Sequence, residues 1–312
     1  GDDKARRENE GVLRRARGYV PSPLSLPVAA ARPILAVGGD LKATVCLATD
    51  ERAVLSEHLG DLEHPEAFRA FLRAIERLRQ LLRCEPRVLA HDLHPSYHGA
   101  RWARAQAGYA LVGVQHHHAH MASAMAEHGL EGSLVGIVCD GTGYGSDGSI
   151  WGAEILCGDA ADFERVGGLE SVPLLGGDAA AEQPWRPAGA FLLAAYGDEA
   201  ERERERFGPA WSDEQWTSLR ARFGRGKWLG CSSMGRLFDA VAFLLGVCDH
   251  NRFEAEAAQR LETEARRAQG APPLVFPLDG QGRLASTAAI RELLARQARG
   301  EDRAELALAF HL

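Results

Sequence analysis

Two glycine turns, each set between apolar runs of strand character, constrain this chain most. In the first, Ile34–Val37 leads into Gly38-Gly39-Asp40 and Ala43–Ala48 returns, with Lys42 close to the tip. Ala53–Glu57 reads as a third strand. In the second, Leu134–Cys139 leads into a glycine turn over Gly141–Gly148, Ile150–Leu156 returns, and Phe163–Leu169 follows as a third strand. Short β-rich runs bounded by glycine signal hairpins. The repetition is one of pattern, not of letters, and suggests an internal duplication. After the first hairpin comes an amphipathic helix, Pro65–Arg83, whose Phe68, Phe71, Leu72, Ile75, Leu78 and Leu82 keep helical spacing. A strand at Arg87–His91, a helical stretch at Trp102–Gly108, a strand at Leu111–Val114 and a further helix complete this unit. Strands alternating with helices imply an α/β layer fold. The expected organisation is a linker or arm over 1–33, a first unit over 34–130, and a second over 131–312 with a helical insertion at about 176–270.

Four histidines crowd the stretch Gln115–His120, on the first turn of the helix that follows Leu111–Val114. His116 and His120 are four apart, so they share one helix face, the spacing with which two helical imidazoles grip one metal. His117 and His118 point elsewhere. Asp140, directly after a buried-type strand, offers a carboxylate that suits zinc or iron as a third ligand, or else merely organises its turn. His91, Asp92 and His94 read either as further ligands or as hydrogen-bonded loop residues. Glycine turns also let backbone N–H groups approach phosphate oxygens, because no Cβ intervenes. Lys42 would add a point charge, and Thr142 and Tyr144 hydroxyl donors, to such a site. Each hairpin taken alone is an ordinary tight turn; two of them framing a histidine pair favour phosphate binding. Gly177 and Asp178 form one more polar loop of this kind.

Composition excludes more than it assigns. The chain of 312 residues, 46% hydrophobic and 25% charged, is that of an ordinary globular protein. A net charge of −7 argues against broad nucleic-acid binding, so no nucleic-acid partner is expected. No apolar run is long enough to span a membrane. The six cysteines are scattered, with no CxxC pair, which fits reduced thiols and a cytoplasmic location.

Longer motifs carry a resemblance. Ala36–Leu47 (AVGGDLKATVCL), His91–Trp102 (HDLHPSYHGARW), Val114–His128 (VQHHHAHMASAMAEH), Asp140–Glu154 (DGTGYGSDGSIWGAE), Leu174–Arg186 (LLGGDAAAEQPWR) and Ser232–Gly246 (SSMGRLFDAVAFLLG) together resemble the HypF carbamoyltransferases that mature NiFe hydrogenases. The likeness extends over nearly the whole chain. It implies the actin/Hsp70/sugar-kinase type of fold, two RNase-H-like units around a nucleotide cleft, with the second unit incomplete at its C-terminus. It implies transfer of a carbamoyl group from carbamoyl-adenylate, made from ATP, to the C-terminal cysteine of HypE, on the way to the cyanide ligand of the iron centre. His116, His120 and Asp140 would hold a divalent metal, iron or zinc. Lys42, the loop Gly141, Thr142, Gly143, Tyr144 and Gly145, and the loop of Gly177 and Asp178 would contact the nucleotide or its phosphate. No catalytic residue is assigned, since the mixed anhydride already carries the activation. In Asn251–Glu262 (NRFEAEAAQRLE) an alanine, Ala255, stands where the family usually has glycine. The rival readings are a small-molecule O-carbamoyltransferase and a non-catalytic fragment that docks a partner.

Overall fold

The computed structural model describes residues 20–207 and 210–312; the charged opening, expected to belong to an arm, lies outside them up to residue 19. The chain divides into two units, Gly1–Gly132 and Ser133–Leu312.

In the first unit β1 (Leu24–Val37) runs antiparallel to β2 (Val45–Leu55), with Leu35 opposite Leu47 and Val37 opposite Val45. β3 (Val88–Asp92) and β4 (Ala110–Val114) add in parallel, giving the order β2-β1-β3-β4. Helix α1 (Pro65–Leu82) starts at a proline, whose missing N–H costs nothing there, and ends on Arg83 in the left-handed conformation. It turns Phe71, Ala74, Ile75 and Leu78 into a core shared with Leu35, Val37, Val45, Leu47 and Leu89. Each such side chain, taken from water, contributes roughly 1.5–3 kcal/mol. α2 (His98–Arg104) and α3 (His116–His128) follow β3 and β4.

Three elements differ from expectation. β1 begins at Leu24, so residues 24–33, read as part of an arm, are strand. Its prolines are tolerated because β1 pairs with β3 only from Ile34 onward and lies beside β2 alone before that. The strands expected at Ala43–Ala48 and Ala53–Glu57 are one, β2, which passes Asp50 in a left-handed conformation (φ 48°) opposite an irregular stretch of β1. α2 starts at His98, ahead of the expected Trp102, for a reason given below.

In the second unit β5 (Leu134–Tyr144), β6 (Ile150–Gly158) and β7 (Phe163–Leu169) form an antiparallel meander. Short strands β8 (Val172–Pro173), β9 (Gly230–Cys231) and β10 (Arg283–Leu284) extend the sheet. Here the glycine turn is shorter than expected. β5 continues through Tyr144 with an irregularity between Cys139 and Gly143, and the reversal is confined to Gly145–Ser149. Asp140, Gly141 and Thr142 thus sit on a bulged strand, not in an open loop. Helices α4 (Ala179–Glu182), α5 (Trp185–Tyr196), α6 (Ala200–Glu205), α7 (Asp213–Gly224), α8 (Met234–Leu244) and α9 (Glu256–Ala265) come next, then α10 (Ser286–Ala298) and α11 (Arg303–His311). α8 is apolar almost all round and runs through the core, packing Leu237, Val241 and Leu244 among Leu192, Leu261 and Leu306. α8 starts beside the sheet: Ser233 caps it, accepting from the Arg236 amide, and a Cβ on Gly152 of β6 would overlap the Ser233 Cα.

Ala255 leads into α9 at φ 62°. A Cβ in that conformation costs roughly 1–2 kcal/mol. Ala255→Gly is therefore expected to stabilise the protein by about 1 kcal/mol in urea unfolding, after the extra freedom of glycine in the unfolded chain is allowed for. No gain in the midpoint would show that the strain is relieved elsewhere.

Candidate functional site

β1, β3 and β4 are parallel and end side by side, at Val37, Asp92 and Val114. Ligands of α/β sheets gather outside such carboxyl ends. A pocket of about 400 Å³ opens there, lined among others by Gly38, Gly39, Asp92, His116, His120 and Ser123.

Asp40, just after β1, is buried and spans the gap to α2. Its Oδ2 accepts from the His98 amide at 2.7 Å and from His98 Nδ1 at 2.8 Å, and its Oδ1 from the Gly99 amide at 3.2 Å. No residue within α2 caps its start, so a carboxylate remote in sequence satisfies the orphan N–H groups there and meets the positive end of the helix. This is why α2 starts at His98 and why a local reading of the sequence places it too late.

Asp92 ends β3 and is also buried. Its Oδ1 accepts from the His94 amide at 2.8 Å, and its Oδ2 lies 2.6 Å from His116 Nδ1. Burial alone would raise this carboxyl; the hydrogen bonds from His116 and the His94 amide, with the charge of His116, outweigh it and hold Asp92 below the usual carboxylate range. An ionised carboxylate only accepts, so Nδ1 of His116 carries a proton toward Asp92, which fixes the orientation of the ring. Arg104 of α2 steadies the loop after β3, donating to the carbonyls of Asp92, Leu93 and Pro95 at 3.3–3.5 Å.

On α3 the Gln115 side chain accepts from the His118 amide and Gly129 closes the helix at φ 62°. The expected pair meets: the rings of His116 and His120 lie 5.0 Å apart, centre to centre. His117 and His118 are buried, at 0% and 8% exposure, with the His117 ring 5.8 Å from that of His116. His91, one of the optional ligands, is buried with Nδ1 2.7 Å from the Asp92 carbonyl, and His94 stacks on Tyr97. Cys46 of β2 also reaches the pocket, and burial pushes its thiol up to about 11 against the backbone hydrogen bond at Val54. Lys42 sits exposed in the turn between β1 and β2.

In the second unit Asp140, Gly141 and Gly143 occupy the end of β5, and Gly145 opens the reversal that follows. Asp140 Oδ1 accepts from the Gly141 amide at 2.7 Å, and the Gly141 carbonyl accepts from the Ser233 hydroxyl. Gly145 serves packing, since a Cβ there would strike the Trp151 ring. Two carboxylates without an assigned role hold this end together. Asp147 Oδ1 accepts from the Ser149 amide, the Ser149 hydroxyl and Trp151 Nε1 at 2.6–3.0 Å, and Arg165 pairs with its Oδ2 at 3.1 Å. Glu154, 1% exposed, pairs with Arg165 Nε at 2.6 Å and accepts from the Ser232 hydroxyl. A glutamate inside the apolar run Ile150–Leu156 is the signal that marks it. Gly177 and Asp178 lie in the loop between β8 and α4.

Two family models divide the chain almost as the units do. "HypF Kae1-like domain" matches residues 29–127, and "Carbamoyltransferase, Kae1-like Domain, second subdomain" matches residues 136–312. This chain belongs to the HypF family. It is 41% identical to carbamoyltransferase HypF2 of Cupriavidus necator over 80% of the chain, and 43% identical to carbamoyltransferase HypF of Rhodobacter capsulatus over 84%. It covers 31% and 36% of those proteins, so it spans about a third of their length. Among solved structures, a full-length HypF in a phosphate- and nucleotide-bound form superposes with a TM-score of 0.87 at 36% identity, over 96% of this chain and 39% of that one. HypF of T. kodakarensis superposes with a TM-score of 0.90 at 32% identity, over 97% and 41% respectively. The α/β fold is thus the Kae1-like one, of actin/Hsp70/sugar-kinase type. Among the described residues no helix is long and apolar enough to cross a membrane.

Asp40→Ala leaves two amides at the start of α2 without acceptors, and is expected to cost about 1–3 kcal/mol in urea unfolding. A loss below the error of the measurement would remove Asp40 from this role.

Proposed function

We propose that this chain is the transferase part of a HypF protein, passing the carbamoyl group of carbamoyl-adenylate to the C-terminal cysteine of HypE in the cytoplasm. The observation that carries the reading is the Asp92–His116 hydrogen bond beside His120, within a chain of this family. A histidine whose second nitrogen is held by a carboxylate is oriented, fixed in one tautomer and made more basic, the arrangement typical of metal-binding imidazoles. The residues present therefore fit a divalent cation, iron or zinc. His116 and His120 would hold it, with Asp140 as the third ligand. When bound, such an ion supplies positive charge able to polarise the carbamoyl oxygen or to orient the adenylate phosphate.

The chemistry asks little else of the protein. In carbamoyl-adenylate the anhydride is already activated: the partner's thiolate forms the C–S bond as the C–O bond to phosphate breaks, and AMP leaves. What accelerates such a step is alignment and neutralisation of charge. Lys42 is assigned to the nucleotide phosphate, together with Gly141, Thr142, Gly143, Tyr144 and Gly145 and with Gly177 and Asp178. Cys46 does not compete with the partner's thiol, because burial keeps it protonated at neutral pH.

Replacing both His116 and His120 by Ala is expected to abolish binding of zinc or iron(II) in calorimetry, and Asp92→Asn to weaken it by roughly 10–100-fold while sparing the ligands. Full metal retention by the double variant would sink the ligand assignment. The transfer itself is tested in a single turnover with supplied carbamoyl-adenylate and HypE. Mass spectrometry is expected to find a thiocarboxamide on the HypE C-terminal cysteine. An unmodified HypE, with the adenylate demonstrably bound, would rule out this function for the chain.

A further inference from the structure

Beside the Gly176-Gly177-Asp178 turn stands an arginine with no assigned task. Arg186, in the first turn of α5, donates from Nε to Gln183 Oε1 at 2.8 Å, and its guanidinium lies 4.3 Å from the centre of the Trp185 ring. Among the described residues its Nη groups reach no acceptor and no carboxylate pairs with it. Burial first, and then the charge of Arg222, pull it below the ordinary arginine value. Trp185 and Gln183 therefore hold a partly desolvated cation in place without neutralising it. Its Nη groups stay open to solvent, and so to an arriving anion.

The turn is shaped around this guanidinium. Gly176 is left-handed at φ 113°, and a Cβ there would stand 2.8 Å from Arg186 Cδ and 2.9 Å from Nη1. A Cβ at Gly176 would push the guanidinium away from the turn backbone. Gly177 is left-handed as well, at φ 59°, and a Cβ on it would meet nothing within 4 Å, so the far side of the turn is open. A fixed fork of N–H donors next to an open glycine turn is suited to a tetrahedral oxyanion.

We propose that Arg186 anchors a phosphate-binding subsite at the Gly176–Gly177 turn, its Nη groups gripping the oxyanion while Trp185 and Gln183 hold the guanidinium plane. The inference rests on the nucleotide reading above, and makes the phosphate of the adenylate the occupant. Free inorganic phosphate offers the same chemistry.

The test is calorimetry on the whole chain with AMP, adenosine and inorganic phosphate as separate probes. The unaltered protein is expected to bind AMP more tightly than adenosine. Arg186→Ala should weaken AMP roughly tenfold or more and leave adenosine unchanged. Arg186→Lys should recover only part of the loss, because an ammonium has charge but no fork. Phosphate binding that disappears in Arg186→Ala would also support the subsite, with free phosphate as an occupant. Should Arg186→Ala fail to fold, Arg186→Gln, which keeps a planar group over Trp185, carries the same expectation. Unchanged AMP affinity in a folded variant would overturn the subsite while leaving the nucleotide reading intact. If the unaltered protein binds neither AMP nor adenosine, both fall together.

Discussion

Three parallel strands that stop side by side set the terms for the first unit. β1, β3 and β4 deliver Asp40, Asp92 and Gln115 to one edge of the sheet, two carboxylates and an amide just where the chain turns toward its helices. Each is spent on the start of a helix or on a side chain at that start. Asp40 caps α2 from outside it, Gln115 caps α3 from within its own turn, and Asp92 fixes the first histidine of α3. The sheet thus sets helix position, and helix position sets the histidine face. The pocket is a consequence of that order rather than a separate construction.

The second unit meets the same demand differently. Its meander is antiparallel, and among the described residues parallel pairing is confined to the short strands, β10 beside β7 and β9 beside β6. The backbone there is placed by a charge network centred on the buried Glu154: Arg165 joins Glu154 on β6 to the exposed Asp147 in the turn, and the Ser232–Ser233 pair ties β6 and Gly141 to the start of α8. Such a network is costly if half satisfied, and here Arg165 bridges both carboxylates.

What could be read from the sequence follows from how far apart the interacting residues lie. The histidine pair was legible because i and i+4 on a helix need no tertiary information. The α1 core face was legible for the same reason. Both hairpins were visible through their glycines and apolar runs, yet their extents were misjudged: prolines disguised the first half of β1, and a bulge hid the continuation of β5 through Asp140–Tyr144. The start of α2 was missed because its cap, Asp40, is distant in sequence. Asp92 was weighed as a ligand, and only the fold shows it hydrogen-bonded to His116. Asp147 and Glu154 gave a weaker signal still, since charge within a strand pattern announces burial but not the partner. The left-handed backbone at Ala255 came only with the fold, since an alanine there gives no local sign of it.

Cys46 has a practical side. A thiol held neutral in the pocket wall is a poor nucleophile toward peroxide near neutral pH. Exposure to air during isolation should leave that wall chemically intact, so oxidative damage at this end of the sheet, if it occurs, begins at the imidazoles or at whatever they hold.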